Sequence, residues 1–288
     1  MKIKGLEFQA DFKPKDVYPV SKKEIAQKMA YRGNQIWANP KLKLVEKELR
    51  ELEDNEVLIK IGACGVCGSD LHFLGRTEDG YVRYTGHCSA GTILGHEYSG
   101  EIVKVGSKVD SVEVGDLVVA DTMNWCGKCG PCRIGLFNQC ENLEELGFTL
   151  DGGFATYMIA QAHYCCKIND FEKIYESKQK ALDVACLLEP ISIAYYGLFE
   201  SSRGIKPGDY VAVTGAGPVG LASIALAKAV ADPGFNVLSY ISSHDTKLFF
   251  SDYQDFDFQK RAANSFLMLP GQCQACFCLL IGDLISTA

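Results

Sequence analysis

The sequence has no surplus of positive charge: 29 Lys and Arg are outnumbered by 36 Asp and Glu, for a formal net charge of −7. Gripping a phosphate backbone or an anionic membrane surface requires a concentrated positive field, so neither nucleic acid nor membrane is an expected partner. The start of the chain has no continuous apolar run either. Met1-Lys-Ile-Lys-Gly-Leu-Glu-Phe8 alternates charged and apolar residues, which is unlike a secretory signal and reads as a first β-strand. One long uncharged stretch, Ala262 to Gly282, is broken by Asn264, Ser265, Pro270, Gly271, Gln272 and Gln274, so it is not read as a membrane span. Internal repeats and low-complexity tracts are also missing. With 47% hydrophobic and 23% charged residues, the chain is ordinary globular material, sized for two domains.

Cysteine, by contrast, is plentiful. Thirteen cysteines without an export signal point to a reducing, cytoplasmic compartment, where thiolates bind metal more often than they form disulfides. Cys126, Cys129, Cys132 and Cys140 follow the order C-x2-C-x2-C-x7-C. Four thiolates can close a tetrahedron around Zn²⁺, and Gly127, Gly130 and Pro131 let the spacers turn tightly enough to aim them at one point. Such a closed site holds a loop in shape. Cys64 is not read as a ligand, and Cys88, Cys165, Cys166 and Cys186 are read as small buried apolar residues. Cys273, Cys276 and Cys278 form a further cluster with only a weak metal signature.

Up to about Glu200, short β-like runs such as Val57–Ile61 and Asp116–Ala120 alternate with Gly and Asp turns, the texture of a mostly β domain. Ser21 followed by Glu24 forms a capping-box pair, which predicts a local helix to about Met29. A second potential donor set is dispersed through this domain. Cys67, the pair His96-Glu97 and Glu189 offer one thiolate, one imidazole and one or two carboxylates. That mixture leaves room for a substrate oxygen on a bound zinc.

The texture changes after about residue 200. Tyr210–Thr214 reads as a strand and Leu221–Val230 as a helix, and between them lies Gly215-Ala-Gly-Pro-Val-Gly220. This G-x-G-x-x-G turn, in strand-to-helix context, is a dinucleotide site: Gly215 permits the turn and Gly217 lets the backbone approach a pyrophosphate. Pro218 and Val219 open the helix, and Gly220 lets helix and strand pack closely. Beyond Val230 the pattern fails. An acidic residue is wanted about 20 residues on for the ribose hydroxyls, but Ser239 and Tyr240 stand near that place and Asp245 comes late. A full domain of this class has about six parallel strands; this chain holds material for about two.

Together these residues resemble the zinc-dependent medium-chain alcohol dehydrogenase family. Its signature G-H-E-x2-G-x5-G-x2-V is met by Gly95, His96, Glu97, Gly100, Gly106 and Val109. A finer resemblance is to the polyol and cyclitol branch that contains scyllo-inosose 3-dehydrogenase. It rests on an insertion from about Ala10 to Pro40, on Glu141–Phe148, on Asp151-Gly-Gly-Phe-Ala155 and on Glu189–Tyr195. The resemblance implies an α/β protein, with a GroES-like, mostly β catalytic domain over residues 1–200 and a partial Rossmann NAD(P)-binding domain over 201–288. The family pattern is lost after about residue 230, which reads as a shortened version of the family layout.

By the same resemblance, Cys67 and His96 bind the catalytic zinc, Glu189 fills the third position, and Glu97 is the other carboxylate able to approach it. Alcohol dehydrogenase is itself the standard Cys₂His example of an open zinc site, so the carboxylates are a departure. Ser69 and His72 occupy the family's proton-relay positions, and Asp70 is placed to hold the ring N–H of His96. The implied activity is hydride transfer from a secondary alcohol of polyol, cyclitol or inosose type to NAD or NADP, with two zincs per chain. The implied partner is a small alcohol or ketone, and the family's usual assembly is a homo-oligomer. The alternative is a catalytically silent, zinc-binding member of the same family. Unpaired parallel strands in the shortened domain would make the chain aggregate or lean on a partner.

Overall fold

The computed structural model describes residues 1–201, 210–215, 217–230, 236–242 and 247–250. They form two compact units, one over Met1–Cys186 and one starting at Leu187.

In the first unit, β1 (Lys2–Phe12) is followed by α1 (Lys22–Gln27), the short α2 (Gly33–Ile36), β2 (Trp37–Glu48) and β3 (Glu56–Gly65). Next come α3 (Gly68–Leu74), β4 (Thr92–Ile93), β5 (Glu97–Val105), β6 (Leu117–Ala120) and β7 (Met123–Asn124). The unit closes with α4 (Gly130–Arg133), β8 (Glu144–Glu145), β9 (Tyr157–Gln161), β10 (Cys165–Lys167), α5 (Phe171–Ile174) and α6 (Lys178–Ala185). Two antiparallel sheets carry it, in the orders β2-β1-β4 and β10-β6-β5-β3-β9, with the small ribbon β7-β8 beside them.

Alternation along the strands builds the core. Val57 and Ile59 of β3, two residues apart on one face, are buried in one cluster with Ile3 and Phe8 of β1 and Ile102 of β5. The central strand β5 is fully buried over its first four residues, Glu97 to Gly100. That burial takes the residues following Gly95 into the interior.

The insertion between β1 and β2 has its own anchor. Ser21 caps α1, the Glu24 carboxylate accepts the Ser21 N–H at 2.8 Å, and the Ser21 hydroxyl accepts the Glu24 N–H at 3.2 Å. The predicted capping box is therefore present, and the helix stops at Lys28, which adopts the left-handed conformation at φ 47°. Glu24 also accepts the Tyr18 hydroxyl at 2.9 Å and the Tyr31 N–H at 3.0 Å. Although burial opposes ionisation, these donors hold its carboxyl below the usual range.

Not every expectation holds. Cys64, Cys88 and Cys186 are buried, but Cys165 is half-buried and Cys166 is exposed. Successive side chains of a strand point to opposite faces of the sheet, so Cys165 and Cys166 cannot both face the core, and β10 is in addition an edge strand with a neighbour on one side only. A second departure is the helical run Lys178–Ser201, which by length and composition alone could cross a membrane. Within the first unit its opening turns are packed: Ala181, Leu182 and Ala185 are buried, and the Leu182 carbonyl accepts the Ser99 hydroxyl at 2.7 Å.

The second unit holds α7 (Leu188–Tyr195), β11 (Tyr210–Thr214), α8 (Pro218–Val230), β12 (Asn236–Ser242) and β13 (Lys247–Phe250). β11 and β12 pair in parallel, whereas β13 pairs antiparallel to β12. Leu198, Val211 and Val213 form its core among the described residues. The cluster Cys273, Cys276 and Cys278, the uncharged stretch from Ala262 and the late acid Asp245 lie outside the described residues.

Candidate metal centres and nucleotide turn

The strand-to-helix turn after β3 places Cys67 at the N-cap of α3, where its N–H donates to the Asp70 carboxylate at 2.9 Å. His96 and Glu97 arrive from a different direction, at the start of β5. Gly95 makes their approach feasible. It sits at φ +92°, a conformation that costs glycine little, and its carbonyl accepts the Gly153 N–H at 2.7 Å. A side chain at Gly152 would collide with that same carbonyl. The Asp151-Gly-Gly segment thus fits directly against the residue before His96. Asp151 is itself braced, accepting the Ile93 N–H at 2.8 Å and the Lys47 ammonium at 3.1 Å.

One donor atom each from Cys67, His96 and Glu97 lie within 4.8 Å of one another. His96 is 6% exposed and Glu97 2%, while Asp70 beside them is also 2% exposed. Glycine at 65 leaves the space that the Glu97 carboxylate occupies. Burial pushes the carboxyls of Glu97 and Asp70 above the ordinary range, opposed in both cases by His96. The set holds more acid than base in a buried place, and a divalent cation would supply the missing positive charge. Its chemistry, one thiolate, one imidazole and one carboxylate, suits zinc with a position left open.

The neighbouring residues follow in part. Asp70 Oδ1 lies 3.7 Å from His96 Nδ1, within ion-pair range and longer than a hydrogen bond. The Ser69 hydroxyl is 3.4 Å from the other ring nitrogen, Nε2. His72 is half-buried in the last turn of α3, and no hydrogen bond, ion pair or ring contact joins it to the trio. Glu189 stands in the first turn of α7, in the second unit, and the trio assembles within the first unit from Cys67, His96 and Glu97.

Several neighbours had no assigned role in the sequence. Phe148 lies against the His96 ring at 4.6 Å, Tyr84 stacks on Phe148 at 5.4 Å, and Phe73 stacks on Tyr84 at 4.4 Å. Phe148 and Asp151 lie in segments noted only as branch markers, and Lys47 carried no signal at all. Their contacts are long-range, so local pattern could not assign them.

The four-cysteine lobe is a second convergence. Cys126, Cys129, Cys132 and Cys140 also offer donors within 4.8 Å of one another. The Cys129 and Cys140 sulfurs are 3.9 Å apart, close to the edge of about 3.8 Å implied by a tetrahedron with ~2.3 Å Zn–S bonds. The N–H groups of Cys126 and Asn142 both donate to Cys140 Sγ at 3.3 Å. Backbone N–H groups of Lys128 and Cys129 lower the Cys126 thiol to about 6. Burial and the adjoining Cys129 thiol push Cys132 up to about 12. Crowded thiols of this kind ionise together only around a cation. Tyr164 secures the approach, its hydroxyl donating to the Trp125 carbonyl at 2.9 Å and accepting the Trp125 N–H at 2.8 Å.

In the second unit, Gly215 adopts φ +105° after β11, and α8 begins at Pro218. Gly217, Val219 and Gly220 line the start of that helix, with the Leu221 N–H donating to the Gly217 carbonyl at 2.9 Å. A side chain at Gly220 would meet the Gly215 carbonyl. Turn and helix are therefore in contact, as the motif requires. On β12, Ser239 and Tyr240 pair with Val213 and Thr214 of β11.

Comparison with known proteins agrees with this geometry. Residues 53–170 match the family described as alcohol dehydrogenase GroES-like domain. The scyllo-inosose 3-dehydrogenase of Thermotoga maritima is 37% identical over 233 residues, covering 78% of this chain and 59% of that protein. A solved Thermotoga maritima structure described as an alcohol dehydrogenase superposes with a TM-score of 0.76 at 36% identity, covering 82% of this chain and 61% of that one. Another, a Sinorhizobium meliloti protein described as a zinc-binding dehydrogenase and bound to NADP, gives a TM-score of 0.55 at 26% identity, covering 73% and 55%. The chain spans about three fifths of the length of these relatives. The α/β architecture, a GroES-like domain followed by a partial Rossmann unit, and the assembled donor sets place this chain in the zinc-dependent medium-chain alcohol dehydrogenase family.

Proposed function

We propose that this protein is a cytoplasmic dehydrogenase, dependent on zinc and NAD(P), that transfers a hydride from a secondary alcohol of a polyol, cyclitol or inosose. The observation that carries the reading is the convergence of Cys67, His96 and Glu97 within 4.8 Å in a buried, acid-rich place. In this reading those three residues hold the catalytic zinc, Glu189 serves as a further carboxylate ligand, and Cys126, Cys129, Cys132 and Cys140 hold a second, structural zinc. When bound, zinc supplies Lewis-acid activation of the alcohol, and the nicotinamide supplies the hydride acceptor.

The chain's own residues have separate tasks. Asp70, 3.7 Å from His96 Nδ1, orients the ring and leaves Nε2 for the metal. Ser69, 3.4 Å from Nε2, stands on the donor side, where its hydroxyl would accept the alcohol proton while releasing its own onward to His72. His72, farther along the same helix, passes that proton to water. Gly215, Gly217, Pro218, Val219 and Gly220 bring backbone N–H groups at the start of α8 to a dinucleotide's phosphates. The relationship to a scyllo-inosose 3-dehydrogenase supports a cyclitol as the substrate class, and the NADP-bound relative supports the nucleotide.

The test is metal analysis of the purified chain together with NADH and NADPH formation from a panel of inositols and sugar alcohols. Two zincs per chain and turnover of at least one cyclitol are expected; zinc-loaded protein without turnover removes the catalytic reading. One observation favours a silent zinc-binding member instead: β13 runs antiparallel on the edge of β12, where the doubly wound strand order calls for a third parallel strand. The same assay separates the two readings.

A further inference from the structure

A metal-binding imidazole must lie in a plane that aims one nitrogen at the cation. The torsion that sets this plane, χ2 of histidine, is broad and roughly two-fold, so for His96 the plane has to be imposed by its neighbours. Asp70 restrains one edge of the ring, at 3.7 Å from Nδ1. That contact is longer than a hydrogen bond. It locates one nitrogen and does not by itself set the tilt of the ring.

Phe148 restrains the tilt. Its ring centroid is 4.6 Å from that of His96, with 40° between the planes, so a large swing of the imidazole would bring the two rings into collision. The backbone around Phe148 is tied to the same place. Gly147 adopts φ +84°, and a side chain there would strike the Gly95 carbonyl at 2.6 Å. The residue before Phe148 thus packs against the residue before His96.

Behind Phe148 stands Tyr84, at 5.4 Å and 29°, and behind Tyr84 stands Phe73, at 4.4 Å and 20°. Phe73 is fully buried and meets Phe8 at 4.8 Å, so the stack ends in the core. The insertion over residues 10–40 grips the segment that carries its middle member. The Gly33 N–H donates to the Gly86 carbonyl at 3.0 Å, and Ala30 and Cys88 exchange two backbone hydrogen bonds at 2.9 Å. The Trp37 indole N–H also donates to the Cys88 carbonyl, at 3.2 Å. A side chain at Gly33 would meet the Tyr84 carbonyl at 2.7 Å. Next along the segment, the Ser89 N–H donates to the Phe148 carbonyl at 2.9 Å. Residues 84–89 therefore join the insertion to the ring that covers His96.

We infer that Phe148, backed by Tyr84, is a positioning residue that fixes the plane of the His96 imidazole for a metal ion, and that the insertion acts on the trio through this stack. The inference rests on the zinc reading above. The test is chelator competition on the full chain, which compares zinc affinity at the trio and at the lobe. Co²⁺ exchanged into the trio, with zinc kept in the lobe, reports the ligand geometry through its visible bands.

Phe148→Leu keeps an apolar side chain and removes the flat contact. Zinc affinity at the trio should fall about 10-fold, the low end of what partners of a metal ligand contribute, and the cobalt bands should move while the lobe stays as in the wild type. Phe148→Tyr retains a ring and should restore both readouts. Gly33→Ala should weaken the trio less, and the double variant should bind no more weakly than Phe148→Leu alone, because both changes act through one contact. Wild-type affinity and bands in a folded Phe148→Leu protein overturn the inference and leave the zinc reading standing. An equal loss at the lobe, or in the core control Met158→Val on β9, also overturns it, since affinity would then follow general stability. Additive losses in the double variant overturn the part given to the insertion. If Phe148→Leu fails to fold, Tyr84→Leu carries the same test. Wild-type protein that binds no metal at the trio defeats the zinc reading, and this inference with it.

Discussion

The two donor sets of the first unit are built differently. The four-cysteine lobe draws every ligand from residues 126–140, on turns whose own N–H groups point at the sulfurs. The trio instead joins Cys67, at the N-cap of α3, to His96 and Glu97, at the buried start of β5, and a distant Asp151–Lys47 brace steadies the approach. A closed local site needs little beyond its own loop. An open site depends on the whole sheet to hold its ligands apart from solvent while leaving one position free.

The sharpest way to break the comparison is to remove one ligand from each set. Cys140→Ser should abolish zinc at the lobe and unfold the segment around it, because apparent structural-zinc affinities amount to about 10–16 kcal/mol of folding free energy. Limited proteolysis within residues 124–145, with one zinc fewer per chain, checks it; a protease-resistant lobe would refute it. His96→Ala should leave the lobe intact and the fold cooperative while emptying the trio. Turnover should fall by about 10³-fold or more if several kcal/mol of Lewis-acid stabilisation are lost. Equal loss of both metals would show that the sites are not independent.

Smaller changes sharpen it. Asp70→Asn keeps all three donors but weakens the orientation of His96, so zinc affinity at the trio should fall about 10- to 100-fold with the lobe unaffected, as read by competition with a chromogenic chelator. The mildest effect concerns pH and the insertion. The Glu24 carboxyl is held below its unfolded value, so its contribution to stability is present above the unfolded pKa of about 4.3 and is lost as pH falls through the folded value. Glu24→Gln should lower stability by about 1–3 kcal/mol at pH 7 and flatten the acid limb of a Tm–pH profile; an unchanged limb would remove Glu24 from the account.

The lobe was legible from spacing alone, because four cysteines within one short segment leave the chain few other ways to arrange them. The capping box at Ser21 and Glu24 and the strand-glycine-helix sequence around Gly215 were legible for the same reason: each involves residues a few positions apart. The exposure of Cys166 was not, since composition cannot say which strand becomes a sheet edge. Glu97 was named beside His96 from the sequence and does stand with Cys67, but local pattern could not show that Phe148 would cover the imidazole.

From the sequence alone came the ligand types, the glycine turn and the family that both indicate. Tertiary structure alone decided that Cys67, His96 and Glu97 meet in a buried place and how the Asp151–Lys47 brace supports their approach. The physical reason is range. Turns and caps are set by dihedral preferences over a few residues, whereas a buried, acid-rich metal site exists only once distant strands have paired and excluded water around it.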